Sequence, residues 1–167
     1  MRSRRPLRLR GFSYRGIHRD FLTFCTFDRH PHFADGAIVA VALSQILRVA
    51  ENEHFAILAY TFMPDHVHLL LEGMSLDADV RRFMARAKQC SGYAVAQRDG
   101  RRLWQRYGFE HVLRDAEAVA GVARYILENP VRAGLVVSPQ DYPHSGCPAY
   151  TMTAVLDPVA WSPRRSG

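Results

Sequence analysis

Lysine is nearly missing from this chain. Its 22 basic residues are 21 arginines and Lys88, set against 16 acidic residues, for a formal net charge of +6. A polyanionic partner fits that excess, because the planar guanidinium fork grips phosphate oxygens two at a time where an ammonium acts as a point charge. The codon usage of a genome rich in G and C yields the same composition without any partner, and a basic balance alone reports non-specific affinity rather than function. Cysteine is scarce too. Cys25, Cys90 and Cys147 form no CxxC pair and leave one thiol over, which argues against a disulfide framework or a zinc–thiolate site and for a reducing compartment. No stretch approaches the roughly 20 apolar residues needed to span a bilayer, and no apolar run follows the basic MRSRRPLRLRG start. A soluble, cytoplasmic protein without membrane contact is therefore expected.

What is present suffices for one ordinary core: 167 residues, 48% of them hydrophobic, with no internal repeat. One domain is expected over 1–167, with a basic arm over about 1–16 and an irregular tail over about 138–167. His18 to Phe27 is aromatic and β-branched and reads as a strand with Phe21, Thr23, Cys25 and Phe27 on one face. Asp35 is placed to cap a helix from Ala37 to Asn52. FAILAYTFMPDHVHLLLEG holds two apolar runs split by Pro64-Asp65, the pattern of an antiparallel hairpin. A helical pattern follows from Ser75 to about Gln97, with Ser75 and Asp77 as caps and Val80, Phe83, Met84, Ala87, Tyr93 and Val95 available for burial. A fourth strand is expected around Phe109 to Leu113, then a helix from Ala116 to Glu128, capped by Asp115 and closed by Asn129-Pro130. The order predicts an α+β, ferredoxin-like (split βαβ) fold: a four-stranded antiparallel sheet, helices on one face, and one extra C-terminal helix.

Two constellations carry chemistry. Side chains alternate along a strand, so His66 and His68 project from one face while Val67 points to the other, and two imidazole nitrogens lie side by side. Such a pair can hold a divalent cation, although His-x-His on a strand is more often a surface feature. Tyr125 and Asn129 stand at i and i+4 and share a helix face. A phenol of reference pKa about 10 attacks a phosphodiester only with help, which a metal polarising the phosphate supplies. Read singly, Tyr125 is an ordinary helix tyrosine and Asn129 a helix-terminal cap.

Taken together, YTFMPDHVHLLLEG, LWQRYGFEHVLRD, ARYILENPVRAGLV and DYPHSG resemble the succession of blocks in the REP-associated tyrosine transposases, a branch of the HUH single-tyrosine transposases, over roughly His18 to Ser145. The resemblance implies His66, His68 and Asn129 as ligands of a Mg²⁺ or Mn²⁺ ion and Tyr125 as nucleophile. It implies cleavage and transfer of hairpin-forming single-stranded DNA through a 5′-phosphotyrosine, with no small-molecule cofactor, by a monomer or homodimer. Tyr107 is a lesser candidate nucleophile, and His111 reads as a strand-surface residue. DNA phosphates are expected on Arg4, Arg5, Arg8 and Arg10 of the arm, on Arg81, Arg82, Arg86 and Lys88 of the second helix, and on Arg101, Arg102 and Arg106. Trp104 reads as a core anchor first and a base-stacking group second. Two rival readings are a hairpin DNA or RNA binder without catalysis and a metal-dependent phosphodiester hydrolase on the same sheet.

Overall fold

A computed structural model describes residues 13–113 and 116–157, with no side-chain description at 116–118. Its centre is strand β3 (His66–Gly73), which is flanked on both sides and buried along most of its length. It pairs antiparallel with β1 (Arg19–Thr26) and, through the Pro64-Asp65 turn, with β2 (Phe55–Met63). Strand β4 (Trp104–Leu113) adds to β1, so the strands run β4-β1-β3-β2 as the ferredoxin-like pattern predicts. A fifth strand departs from that expectation. β5 (Ser145–Gly146) comes from the tail and pairs with Thr61 and Tyr60 at the β2 edge.

The pleat divides the core in two. Leu22, Phe24, Val67, Leu69 and Leu71 face helices α1 (Gly36–Asn52) and α2 (Val80–Asp99). Leu58, Ala59 and Leu70 face helix α3 (Ala116–Arg132) and the short α4 (Met152–Leu156) on the opposite side. Two helices thus share one face as expected, and the C-terminal helix covers part of the other. In β2 the register slips between Ile57 and Ala59, so that Leu58 and Ala59 both belong to the α3 side.

Local signals explain most element ends. Asp35 caps α1 by accepting from the Ala37 N–H at 2.8 Å. Helix α2 starts later than its apolar pattern suggests, at Val80, because Asp79 accepts from the Arg81 and Arg82 N–H groups at 3.0 and 3.2 Å. Tyr93, expected inside, is exposed on α2, and the buried position two residues earlier is taken by Ser91. Its hydroxyl accepts from Trp104 Nε1 at 2.9 Å; Trp104 is 6% exposed and packs against Phe24 and Phe33, which removes it as a base-stacking group. Strand β4 therefore begins at Trp104, five residues before the expected start.

Helix α3 runs past Asn129-Pro130 to Arg132. Proline forfeits only one hydrogen bond, and the true stop is Gly134, left-handed at φ +71°. There the Leu135 N–H donates to the Pro130 carbonyl and the Gly134 N–H to the Val131 carbonyl, both at 2.9 Å, closing a Schellman motif. Asp115 and the arginines of the N-terminal arm, Arg4, Arg5, Arg8 and Arg10, lie outside the described residues.

One core group is strained electrostatically. Asp20 is 1% exposed, its Oδ1 has no hydrogen-bond partner, and burial with help from the Glu110 carboxylate pushes its pKa up to about 7. A carboxyl that holds its proton more tightly folded than unfolded stabilises fully below its ordinary value of 3.8 and loses that contribution as pH rises through about 7. Asp20→Asn should therefore flatten the fall in melting temperature across that window and raise it on the alkaline side, as thermal denaturation followed by circular dichroism will read.

Candidate active site

The site lies on the α3 side of the sheet. His66 and His68 point there from β3, next to Thr23 on β1 and Thr61 on β2, and their Nε2 atoms approach to 3.2 Å. Each ring is held by its other nitrogen. His66 Nδ1 lies 2.6 Å from Asp65 Oδ1, and His68 Nδ1 lies 2.8 Å from Thr23 Oγ1. Because a carboxylate only accepts, His66 donates from Nδ1 and keeps a lone pair on Nε2. The threonine hydroxyl both gives and takes a hydrogen bond, so His68 can release its Nε2 lone pair by changing tautomer without moving. Asp65 is itself held by Arg29 Nε at 2.7 Å, and its pKa falls below the usual carboxylate range because the His66 and Arg29 interactions outweigh its own desolvation.

His68 is the more buried of the pair, and desolvation, then His66, Arg132 and Arg29, drives its pKa down to about 3. The ring is neutral throughout the physiological range, the state in which an imidazole can act as a ligand. Over it stands Tyr125 from α3, with ring centroids 6.0 Å apart; the Tyr125 ring also meets Phe21 edge-on at 6.2 Å. Tyr125 is 46% exposed, so a large substrate can reach it. The Arg132 guanidinium sits 4.3 Å from the Tyr125 ring centroid and is steadied by Glu128 at 3.1 Å. Asn129 follows one turn after Tyr125, and its Nδ2 is buried without a hydrogen-bond partner. A half-turn of the amide would put Oδ1 in the same place, so a polar group on this helix face is kept without a protein partner. Two imidazole Nε2 atoms thus converge on this face, and the orphaned Asn129 amide lies on the helix that carries Tyr125. Among the described residues no three His, Cys, Asp or Glu side chains cluster so as to hold a metal ion.

The sequence profile of the IS200-like transposases matches residues 19–129, more than half of the chain, and that span holds β1 to β4 together with His66, His68, Tyr125 and Asn129. The chain belongs to the IS200-like transposase family. This IS200-like transposase is also similar to a Haemophilus influenzae protein named as a REP-associated tyrosine transposase, 29% identical over 109 residues. That match covers 59% of this chain and 62% of the relative. Among solved structures, a REP-associated tyrosine transposase bound to a REP hairpin superposes with a TM-score of 0.74 at 22% identity, over 95% of this chain and 92% of that one. A transposase from Deinococcus radiodurans superposes at 0.51 with 21% identity, over 74% of this chain and 96% of that one. Both likenesses establish the fold.

The structure sorts the expected phosphate-binding residues of this transposase by position. Arg82 and Arg86 clamp the buried Glu53 carboxylate between α1 and α2, the latter at 2.6 Å, across the sheet from the histidines. Arg81 stacks on Tyr14 at 3.6 Å. Lys88 donates to the backbone carbonyls of Gln105 and Arg106, where β4 bulges away from β1, so its charge serves carbonyls that the ladder leaves unpaired. Arg101, Arg102 and Arg106 sit at the end of the sheet that carries His66, because Trp104 pairs with Thr26 and Cys25 with His66. Arg102 is engaged with Phe27 and the Trp104 carbonyl, Arg101 approaches His30 at 3.3 Å, and Arg106 is exposed. Tyr107 lies exposed on β4 under Arg106, away from helix α3. Sequence reasoning missed Arg132. Its signal was the i+7 spacing from Tyr125, which the assumed helix stop at Asn129-Pro130 concealed.

An unsatisfied buried amide costs stability, while an apolar group of the same shape does not. Asn129→Leu should hold or raise the folding stability, by up to about 1 kcal/mol, in a denaturant melt. A loss of that size instead would show that the amide serves packing.

Proposed function

We propose that this protein is a single-tyrosine DNA strand transferase acting on hairpin-forming single-stranded DNA. The observation that carries the reading is Tyr125, half-exposed on α3, standing over His68 on the face where the His66 and His68 Nε2 atoms are 3.2 Å apart. The hairpin substrate is supported by the fold shared with a transposase solved on a REP hairpin. Nucleophile and imidazoles come from one chain, which supports action by a monomer.

In the proposed reaction the Tyr125 hydroxyl attacks a backbone phosphorus; the tyrosyl O–P bond forms as the bond to the 3′-oxygen breaks. The phenolic proton is released, the departing oxygen takes one up as a 3′-hydroxyl, and a 5′-phosphotyrosine remains. A second 3′-hydroxyl reverses the step, so no external energy source is required. Arg132, beside the Tyr125 ring, is placed to meet charge gathering on the phosphate oxygens. Phe21 and His68 fix the ring's direction by edge contacts. His66, His68 and Asn129 are the residues that would hold a divalent ion, Mg²⁺ or Mn²⁺ by the hardness of amide and phosphate oxygens. Such an ion supplies electrostatic stabilisation of the phosphate. Support for that donor set comes from the anchored Nδ1 atoms, which leave both Nε2 atoms on one side, and from the orphaned Asn129 amide.

Incubating the protein with a labelled hairpin oligonucleotide and Mn²⁺, then running a denaturing gel, should give a covalent protein–DNA band that Tyr125→Phe or a chelator abolishes. Free cleaved product from Tyr125→Phe would assign hydrolysis instead, and a gel shift without any cleavage would assign binding alone. Asp65→Ala should weaken Mn²⁺ binding by about 10- to 100-fold, since the carboxylate orients His66 from behind; isothermal titration calorimetry measures it.

A further inference from the structure

Helix α3 packs mainly on β2 and β3 and reaches Phe21 of β1 and Leu113 of β4 at its margin, while among the described residues Phe109 on β4 stays exposed. We propose that this exposed part of the β1–β4 face is a stacking shelf for unpaired bases of single-stranded DNA, with Phe109 as its outer face and Phe21 as its inner one. The proposal rests on the strand-transfer reading for its substrate, and it names where the unpaired strand lies.

Phe109 pairs with Thr23 across the β1–β4 ladder and so projects to the histidine side. It is 52% exposed, an uncommon position for a large apolar ring on an edge strand. Its ring meets Phe21 at 6.2 Å, and Phe21 meets Tyr125 at 6.2 Å, so three aromatic rings lead from the sheet edge to the nucleophile. The interplanar angles of 69° and 87° make both contacts edge-to-face rather than stacked, and the exposure of Phe109 leaves part of its ring to solvent. A base, with a π-face whatever its identity, suits such a surface.

Charge favours DNA over an apolar protein partner. The half-exposed Arg132 stands beside Tyr125, Arg29 borders His66 through Asp65, and exposed Arg106 lies on β4 three residues before Phe109. Guanidinium groups thus stand near an aromatic floor, the combination that holds a single strand by backbone and base together. The shelf is continuous with the Tyr125 site, where the strand must pass for its phosphate to be attacked.

The test compares binding of oligothymidine and of a blunt duplex of equal length by fluorescence anisotropy, for the parent, Phe109→Ala, Phe109→Leu and Phe109→Tyr. Loss of one stacked base should weaken oligothymidine binding by about tenfold in the Ala variant. The Leu variant, which keeps apolar bulk without a ring face, should lose a similar amount, the Tyr variant should retain affinity, and duplex binding should stay unchanged in all. Parental affinity in the Ala or Leu variant, an equal loss on duplex, or no oligothymidine binding by the parent would overturn the shelf. So would a parental dimer in sedimentation velocity that Phe109→Ala dissociates, which would assign the face to a second copy. If the parent forms no covalent adduct on a hairpin, the strand-transfer reading falls while the binding comparison still decides the shelf. Unchanged oligothymidine binding beside a normal adduct removes the shelf alone.

Discussion

The two-residue period of one central strand governs this protein. β3 is paired on both sides and covered on both faces, so each of its side chains has only one place to go. Val67, Leu69 and Leu71 fill the core beneath α1 and α2, and that commitment turns His66 and His68 to the other side. A slip of one residue would bury two imidazoles among phenylalanines and leucines and turn Val67, Leu69 and Leu71 to the side of Tyr125. The hydrophobic core on one face thereby enforces the polar geometry on the other. The neighbouring strands finish it: Thr23 and Asp65 take the Nδ1 atoms, so that the remaining nitrogens converge.

The two faces are finished unequally. On one, helices α1 and α2 seal the sheet, and apart from Asp20 the polar groups named there are met locally: Glu53 by two arginines, Ser91 by Trp104, the bulged β4 carbonyls by Lys88. On the other, α3 packs mainly on β2 and β3 and reaches Phe21 and Leu113 at its margin, and among the described residues Phe109 is left exposed. Under the proposed strand-transfer reading, that exposed sheet leaves room for a nucleic-acid strand beside Tyr125.

Legibility in the sequence followed the range of the interactions concerned. The hairpin around Pro64-Asp65, the cap at Asp35 and the paired histidines all rest on patterns a few residues long, and the structure agrees with them. Strand β5 is two residues long and exists because Gly146 lets the tail lie against Tyr60, where a Cβ would approach the Tyr60 hydroxyl to 2.6 Å. No local period announces such an element. Arg82 and Arg86 read as phosphate-binding residues because their partner, Glu53, lies 29 and 33 residues away. Phe109 read simply as strand, and its exposure follows from where α3 stops covering the sheet.

The end of α3 shows how a local rule can hide a functional group. Asn129-Pro130 is a strong stop signal because proline restricts the residue before it and lacks an N–H. Near the end of a helix that penalty is small, and the Gly134 Schellman motif recovers the terminal carbonyls four residues later. The added turn carries Arg132 to the i+7 position from Tyr125, against its ring and within the field felt by His68. Had the helix ended at Asn129, Tyr125 would lack the guanidinium that now stands against its ring. The same three residues, proline, arginine and glycine, therefore set both where the helix ends and which charge stands beside Tyr125.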